Sequence, residues 1–318
     1  AMKAQDQRVY VHMDTKPSSL FLDSIGELVE GDSFRTDEGV VVMYKRGSLE
    51  TAAVGVVFPN DHTEVDIPPF PQGFPPAPEG REITPDLSGL WCNKGQTHQG
   101  FDVRIKRTPD GVRVGILWYT YDSASSLGAN RRFYTASFLS DDAATGFKLN
   151  TTDGGLFDRP QDHFVQEIGE GQLYFIDGDN AVVNFATTEH GRGTIQLKRI
   201  ARSTAGADGW YYNPNRNGEG FGVVTISSSS RLVYWYTYKE SRPTIGSRNT
   251  QEWYVAEIKN NGVGPLYRAE RGEFMNLTDS ELKQVGSVFV DLSVFDKLKF
   301  EFKMDDETAG VRQCRRMF

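Results

Sequence analysis

The chain repeats itself. Displaced by 120 residues, GLWCNKGQTHQGFDV (89–103) lies on GWYYNPNRNGEGFGV (209–223) without a gap. Gly89, Asn93, Gly100, Phe101 and Val103 then coincide with Gly209, Asn213, Gly220, Phe221 and Val223. WYTY stands at 118–121 and again at 235–238, FYTA (133–136) matches WYVA (253–256), and GTIQLKRI (193–200) lies on GVRQCRRM (310–317). Order and spacing hold throughout, with small length changes in between. The repeating unit is about 110 residues, too long for a solenoid repeat and the size of a domain.

Each copy carries the pattern of β-strands. FDVRIKR alternates apolar and polar residues, and RVGILWYTYD, RLVYWYTYK, RRFYTASF and QEWYVAEI are rich in aromatic and β-branched side chains. Turn-forming stretches (TPDG, SSSS, DGDN, NNGVG) separate them. The expected fold class is therefore all-β, with two homologous antiparallel meander or small-barrel domains at 86–202 and 203–318. Closing such a sheet removes its open edges. Before them, the prolines of residues 68–85 predict a semi-rigid linker, and residues 1–67 predict a small acidic β module whose best hairpin is VVVMYKRGSLETAAVGVVF (40–58). One short helix is expected over LTDSELKQVG (277–286), capped by Thr278 or Asp279 and closed by Gly286.

Composition removes several function classes. The chain has 318 residues and a net charge of -8. Residues 1–85 hold 14 acidic and 7 basic side chains, so the remaining 233 carry 29 and 28 and are close to neutral. A near-neutral body lacks the electrostatic footprint of a nucleic-acid binder. The longest apolar run, AAVGVVF (52–58), is too short for a transmembrane helix. The opening Ala-Met reads as a cloning scar, so a signal peptide is expected to have been removed. Two cysteines, Cys92 and Cys314, exclude a disulfide-rich scaffold and a Cys-based zinc site. A Cys92–Cys314 bond, which would tie one copy to the other, and two separate buried thiols are the alternatives.

NPNRNGEGF (213–221) starts like a calcium loop, with Asn213, Asn215, Asn217 and Gly218 on ligand spacing. The first copy has NKGQTHQGF there, and Val224 stands where a bidentate Glu is needed. The expected structure is an Asn-Pro turn with a glycine at positive φ, and no metal or other cofactor. DGDN (177–180) likewise predicts a hairpin turn.

Of the aromatic residues, Trp118, Tyr119 and Tyr121 recur as Trp235, Tyr236 and Tyr238, followed by Trp253 and Tyr254. On a strand, alternate side chains face opposite ways. One set fills a core. The other either pairs across strands or forms a ligand-binding face, since flat rings with polar tips stack on sugars. No nucleophile elbow, zinc-protease, P-loop or dinucleotide motif occurs. The weak catalytic candidate is Glu219, an acid beside glycines that faces Gln99 in the first copy; a surface carboxylate is its ordinary fate.

The order W-Y-N-P-x-x-x-G-x-G-F … W-Y-T-Y … W-Y … G-x-x-x-L-x-R resembles a β-rich repeat of uncharacterised secreted proteins of Gram-negative bacteria. Copy one departs from it at Cys92 and Lys94, and copy two ends in QCRRM. The resemblance implies an exported bacterial protein, periplasmic, extracellular or on the cell surface, and implies no activity. The expectation is a non-catalytic binding protein that recognises a glycan or other amphipathic ligand through aromatic β faces. The alternatives are a structural or adhesin-like protein with a protein partner, and a hydrolase using Glu219.

Overall fold

The computed structural model describes residues 80–94, 98–121, 131–204, 206–240, 249–270, 272, 274 and 281–317, and eight short strands within residues 1–57. Those strands are β1 (Met2–Lys3), β2 (Arg8–Val9), β3 (His12–Met13), β4 (Ser19–Leu22), β5 (Gly26–Val29), β6 (Ser33–Arg35), β7 (Val41–Arg46) and β8 (Ala52–Val57). β7 and β8 pair antiparallel with Val41 opposite Val57, which is the hairpin expected over 40–58. The chain divides into two compact units, residues 1–76 with 185–193, and residues 77–184 with 194–318. The proline-rich stretch up to residue 79 lies outside the described residues.

Each copy of the repeat is a closed eight-stranded antiparallel barrel. Barrel 1 runs β9 (Gly89–Asn93), β10 (Gly100–Thr108), β11 (Gly111–Tyr121), β12 (Arg131–Leu139), β13 (Phe147–Asp153), β14 (Phe164–Phe175), β15 (Asn180–Thr187) and β16 (Gly191–Arg202). Barrel 2 repeats the order as β17 (Gly209–Tyr212), β18 (Gly220–Ser227), β19 (Ser230–Tyr238), β20 (Gln251–Lys259), β21 (Val263–Glu270), β22 (Glu281–Asp291), β23 (Lys297–Met304) and β24 (Ala309–Arg316). Last strand returns to first in both, with Arg199 opposite Trp91 and Arg316 opposite Tyr211. A β-bulge falls at the same place in each copy, after Leu149 and after Leu266.

The helix expected over 277–286 is not formed by its described part. Glu281 opens the eleven-residue strand β22, in register with β21 from Glu270↔Glu281 onward. Ladder pairing outweighs a local helix signal of a few tenths of a kcal/mol per residue, about what propensity differences amount to. Residues 277–280 lie outside the described set.

Alternation along the strands sends the tryptophans of WYTY inward. Trp118 lies opposite Phe101 and Trp235 opposite Phe221, with nearly parallel rings 5.1 and 6.0 Å apart. Val223, Val233, Leu298, Phe300 and Phe302 complete the core around Trp235. Each such side chain removed from water contributes about 1.5–3 kcal/mol.

The outward tyrosines are covered as well, because the barrels pack on one another through them. Tyr119, Tyr121 and Phe133 of barrel 1 share one buried cluster with Tyr234, Tyr236 and Trp253 of barrel 2. The contacts obey a pseudo-two-fold relation. Tyr119–Trp253 is matched by Tyr236–Phe133, both at 5.6 Å, and Tyr121–Trp253 at 6.0 Å by Tyr238–Phe133 at 6.4 Å. Gln251 reinforces the junction by accepting from the Phe133 N–H and donating to its carbonyl.

The loops after the fifth strand of each barrel cross over. Phe157, following β13, lies against Trp235 and Phe302 inside barrel 2, at 5.5 and 5.9 Å. Phe274, following β21, lies 5.7 Å from Trp118 of barrel 1. Two residues before each phenylalanine is a glycine pressed on a tyrosine of the opposite barrel. A Cβ on Gly155 would meet the Tyr238 ring at 2.7 Å, and one on Gly272 the Tyr121 ring at 2.0 Å. Glycine is what lets each loop pass.

Candidate functional site

The candidate binding aromatics are not exposed. Trp118, Tyr119, Tyr121, Trp235, Tyr236, Tyr238 and Trp253 are all at most 3% accessible. The expected aromatic strip is therefore core and inter-barrel contact, because duplication supplies each sheet with a matching sheet to bury it against. Tyr254 alone of the eight remains partly open.

Glu219 is not a surface carboxylate. It is 2% exposed and is held by Arg312 Nε at 2.7 Å, Arg216 Nε at 3.2 Å and the Thr237 hydroxyl at 3.1 Å. The Arg312 guanidinium in turn lies over the rings of Phe157, Trp235 and Phe302. A carboxylate so engaged orders the mouth of barrel 2 and presents no oxygen to a substrate.

The Cys92–Cys314 bond is not formed, and both residues are free thiols. Each barrel closes on itself, so Cys92 stays on β9 while Cys314 points into the core of barrel 2. Burial raises both thiol pKa values, that of Cys314 to about 12.

The asparagine loop is a turn. Asn213 Oδ1 accepts from Asn215 N at 2.9 Å, Arg216 N donates to Asn213 O at 3.0 Å, and Gly218 has φ +92°. In copy one His98 takes the same positive φ, at +55°. DGDN is the β14–β15 turn: Asp177 Oδ1 accepts from the N–H of Asp179 and Asn180, and Asp179 is bound by Arg199 and Arg202. Among the described residues no three His, Cys, Asp or Glu side chains are grouped for a metal ion. No described helix is long and apolar enough to cross a membrane.

A groove of 460 Å³ lies open at the mouth of barrel 2. Tyr254 forms one wall, with Arg131, Arg268, Lys239 and Lys283 as cations and Glu240, Glu252, Asp305 and Asp306 as acids. The repeat explains why Tyr254 is more open than its counterpart. In barrel 1 the equivalent ring, Tyr134, is 0% exposed. Arg132 covers it, its guanidinium 5.9 Å from the ring centre and bonded to both oxygens of Asp153. The counterparts in barrel 2 are Glu252 and Glu270, two acids that repel rather than pair. Each finds another partner. Arg131 reaches across from barrel 1 to clasp Glu252 with Nε and Nη2, and donates to the Ala269 carbonyl. Arg268 bonds Glu270 at 2.8 Å. Burial, then the neighbouring Arg268, lowers the Arg131 pKa to about 10, which leaves it charged at neutral pH. The bond from Arg268 holds Glu270 below the usual carboxylate range.

Sequence reasoning missed the groove because its lining comes from six separated segments, one of them in the other copy. It missed the crossing loops too, although their signal was present: Gly-x-Phe stands at 155–157 and again at 272–274.

The fold thus defines a tandem of two eight-stranded barrels locked face to face, with a charged groove beside Tyr254. No protein-family model, curated protein or solved structure matches the chain.

Proposed function

We propose that the protein is a non-catalytic binding protein whose ligand, a short glycan, docks in the groove at the mouth of barrel 2. One observation carries the reading: Tyr254, alone among the candidate aromatics, is partly exposed, and it stands in a groove lined by charges of both signs. The groove has the volume of small-ligand sites, which run from about 300 to 1,000 Å³. A tyrosine ring offers a stacking surface to a sugar, and a lining that holds both charged donors and charged acceptors matches hydroxyls that both give and take hydrogen bonds. Export to the periplasm, cell surface or medium belongs to the same proposal and is supported by the resemblance of the repeat to secreted proteins of Gram-negative bacteria.

The test is calorimetric titration with neutral and acidic oligosaccharides, on the unaltered chain and on Tyr254→Ala. Binding by one sugar class, weakened at least tenfold in the variant, is the expected result. No binding by any sugar, or equal binding by the variant, overturns the proposal.

A protein-interaction role is the second reading. It is favoured by Phe164 and Val165, adjacent on β14 and 53% and 62% exposed. Consecutive on a strand, they face opposite sides of the sheet, and each offers a separate apolar contact to a partner.

A further inference from the structure

Asp102 and Gly222 are equivalent positions of the repeat, on β10 and β18. They also face each other. A Cβ on Gly222 would lie 2.4 Å from Asp102 Oδ2. Two equivalent residues meet only on the pseudo-two-fold axis that relates the barrels. Here the symmetry breaks most sharply. Asp102 is fully buried, paired with Arg104 Nε at 2.7 Å, and accepts from Trp210 Nε1 of barrel 2 at 2.8 Å. Arg104 continues across the axis to the Val223 carbonyl at 2.9 Å. The equivalents of Arg104 and Trp210 are Val224 and Leu90. Barrel 1 thus brings the ion pair, and barrel 2 brings the space and the indole donor.

We infer that the 102/222 position determines pairing specificity, admitting barrel 1 only opposite barrel 2. Two copies of barrel 1 would set carboxylate against carboxylate in a fully buried site, where like charges cannot both stay ionised. Two copies of barrel 2 would leave a void on the axis and the buried indole N–H of Trp210 without an acceptor. The aromatic contacts around the axis are nearly symmetric and do not discriminate in this way.

The experiment uses full-length protein in a double-mutant cycle of Gly222→Asp with Asp102→Gly, read by urea unfolding. Gly222→Asp is expected to lower the folding equilibrium constant at least a hundredfold beside Asp102, and less than tenfold in the Asp102→Gly background. If the single variant does not fold at all, recovery of folding by Asp102→Gly carries the same information. An equal effect in both backgrounds, or a double variant that stays unfolded, overturns the inference.

Discussion

Glu219 and Arg312 meet at the mouth of barrel 2, Arg312 Nε donating to Glu219 Oε1 at 2.7 Å, where barrel 1 has Gln99 and Ile195. Both members of the pair have changed together between the copies. In barrel 1 the neutral version holds by itself, with the Thr120 hydroxyl donating to Gln99 Oε1 at 2.6 Å. Thr237 is the matching hydroxyl in barrel 2.

Replacing Glu219 by Gln should therefore strand the buried guanidinium of Arg312, at a cost of about 3–5 kcal/mol. Glu219→Gln/Arg312→Ile, which reproduces barrel 1, should recover most of this. Urea midpoints of the three proteins check it. A double variant as unstable as the single one would show that the contacts of Arg312 with Phe157, Trp235 and Phe302 matter more than its charge partner.

The crossing phenylalanines should act in parallel. Phe157 and Phe274 are each half-buried. Truncation to Ala is expected to cost about 2 kcal/mol apiece, roughly half the loss at a fully buried site. Gly155→Ala, which drives a methyl into the Tyr238 ring, should be at least as damaging although it removes no contact. Thermal unfolding is the measurement, and a Gly155→Ala protein as stable as the parent would mean that the loop has room to shift.

Alkali should unfold the protein in a way that reports on the barrel interface. Burial raises the pKa of Tyr119, Tyr234, Tyr236 and Tyr238 above the ordinary value of 10. Their folded forms hold protons that the unfolded chain releases. Their contribution to stability is intact below pH 10 and falls as pH rises toward the folded values. Each tyrosine adds a slope of up to about 1.4 kcal/mol per pH unit in that window. Urea unfolding from neutral pH upward should show the loss, and Tyr236→Phe should remove one share of the slope. A stability that stays flat above pH 10 would contradict the buried, un-ionised placement.

Thiol chemistry should separate the cysteines. Cys92 is half-buried on β9, and Cys314 is sealed in the core of barrel 2 with its pKa pushed up to about 12. A thiol reagent on the native protein should label Cys92 first, with Cys314 labelled only as the protein unfolds. In denaturant two thiols should titrate without reductant. Labelling of both at one rate in the native state would contradict the closed core.

Much of the architecture was readable from the residues. Duplicated WYTY, the period-two strands and the spaced turns define two all-β units, because strand alternation and turn chemistry are local properties of the chain. The inward direction of Trp118 against the outward direction of Tyr119 follows from the same alternation. The fate of the outward set did not. Whether Tyr119, Tyr121, Tyr236 and Tyr238 face ligand, solvent or another sheet depends on what approaches from outside the strand. Glu219 was misjudged for the same reason, since its partner Arg312 is 93 residues away.

The sequence by itself determined that this chain is a repeated β structure with aromatic strands, a near-neutral body and no calcium-loop acid where one is needed. Only the tertiary structure decided that the two copies bury those aromatics against each other, exchange phenylalanine loops, seal Glu219 and leave a groove beside Tyr254. Periodicity is written between near neighbours in the chain and survives inspection residue by residue. Burial and charge pairing join residues such as Asp102 and Trp210, 108 positions apart, and exist only once both barrels have closed and met.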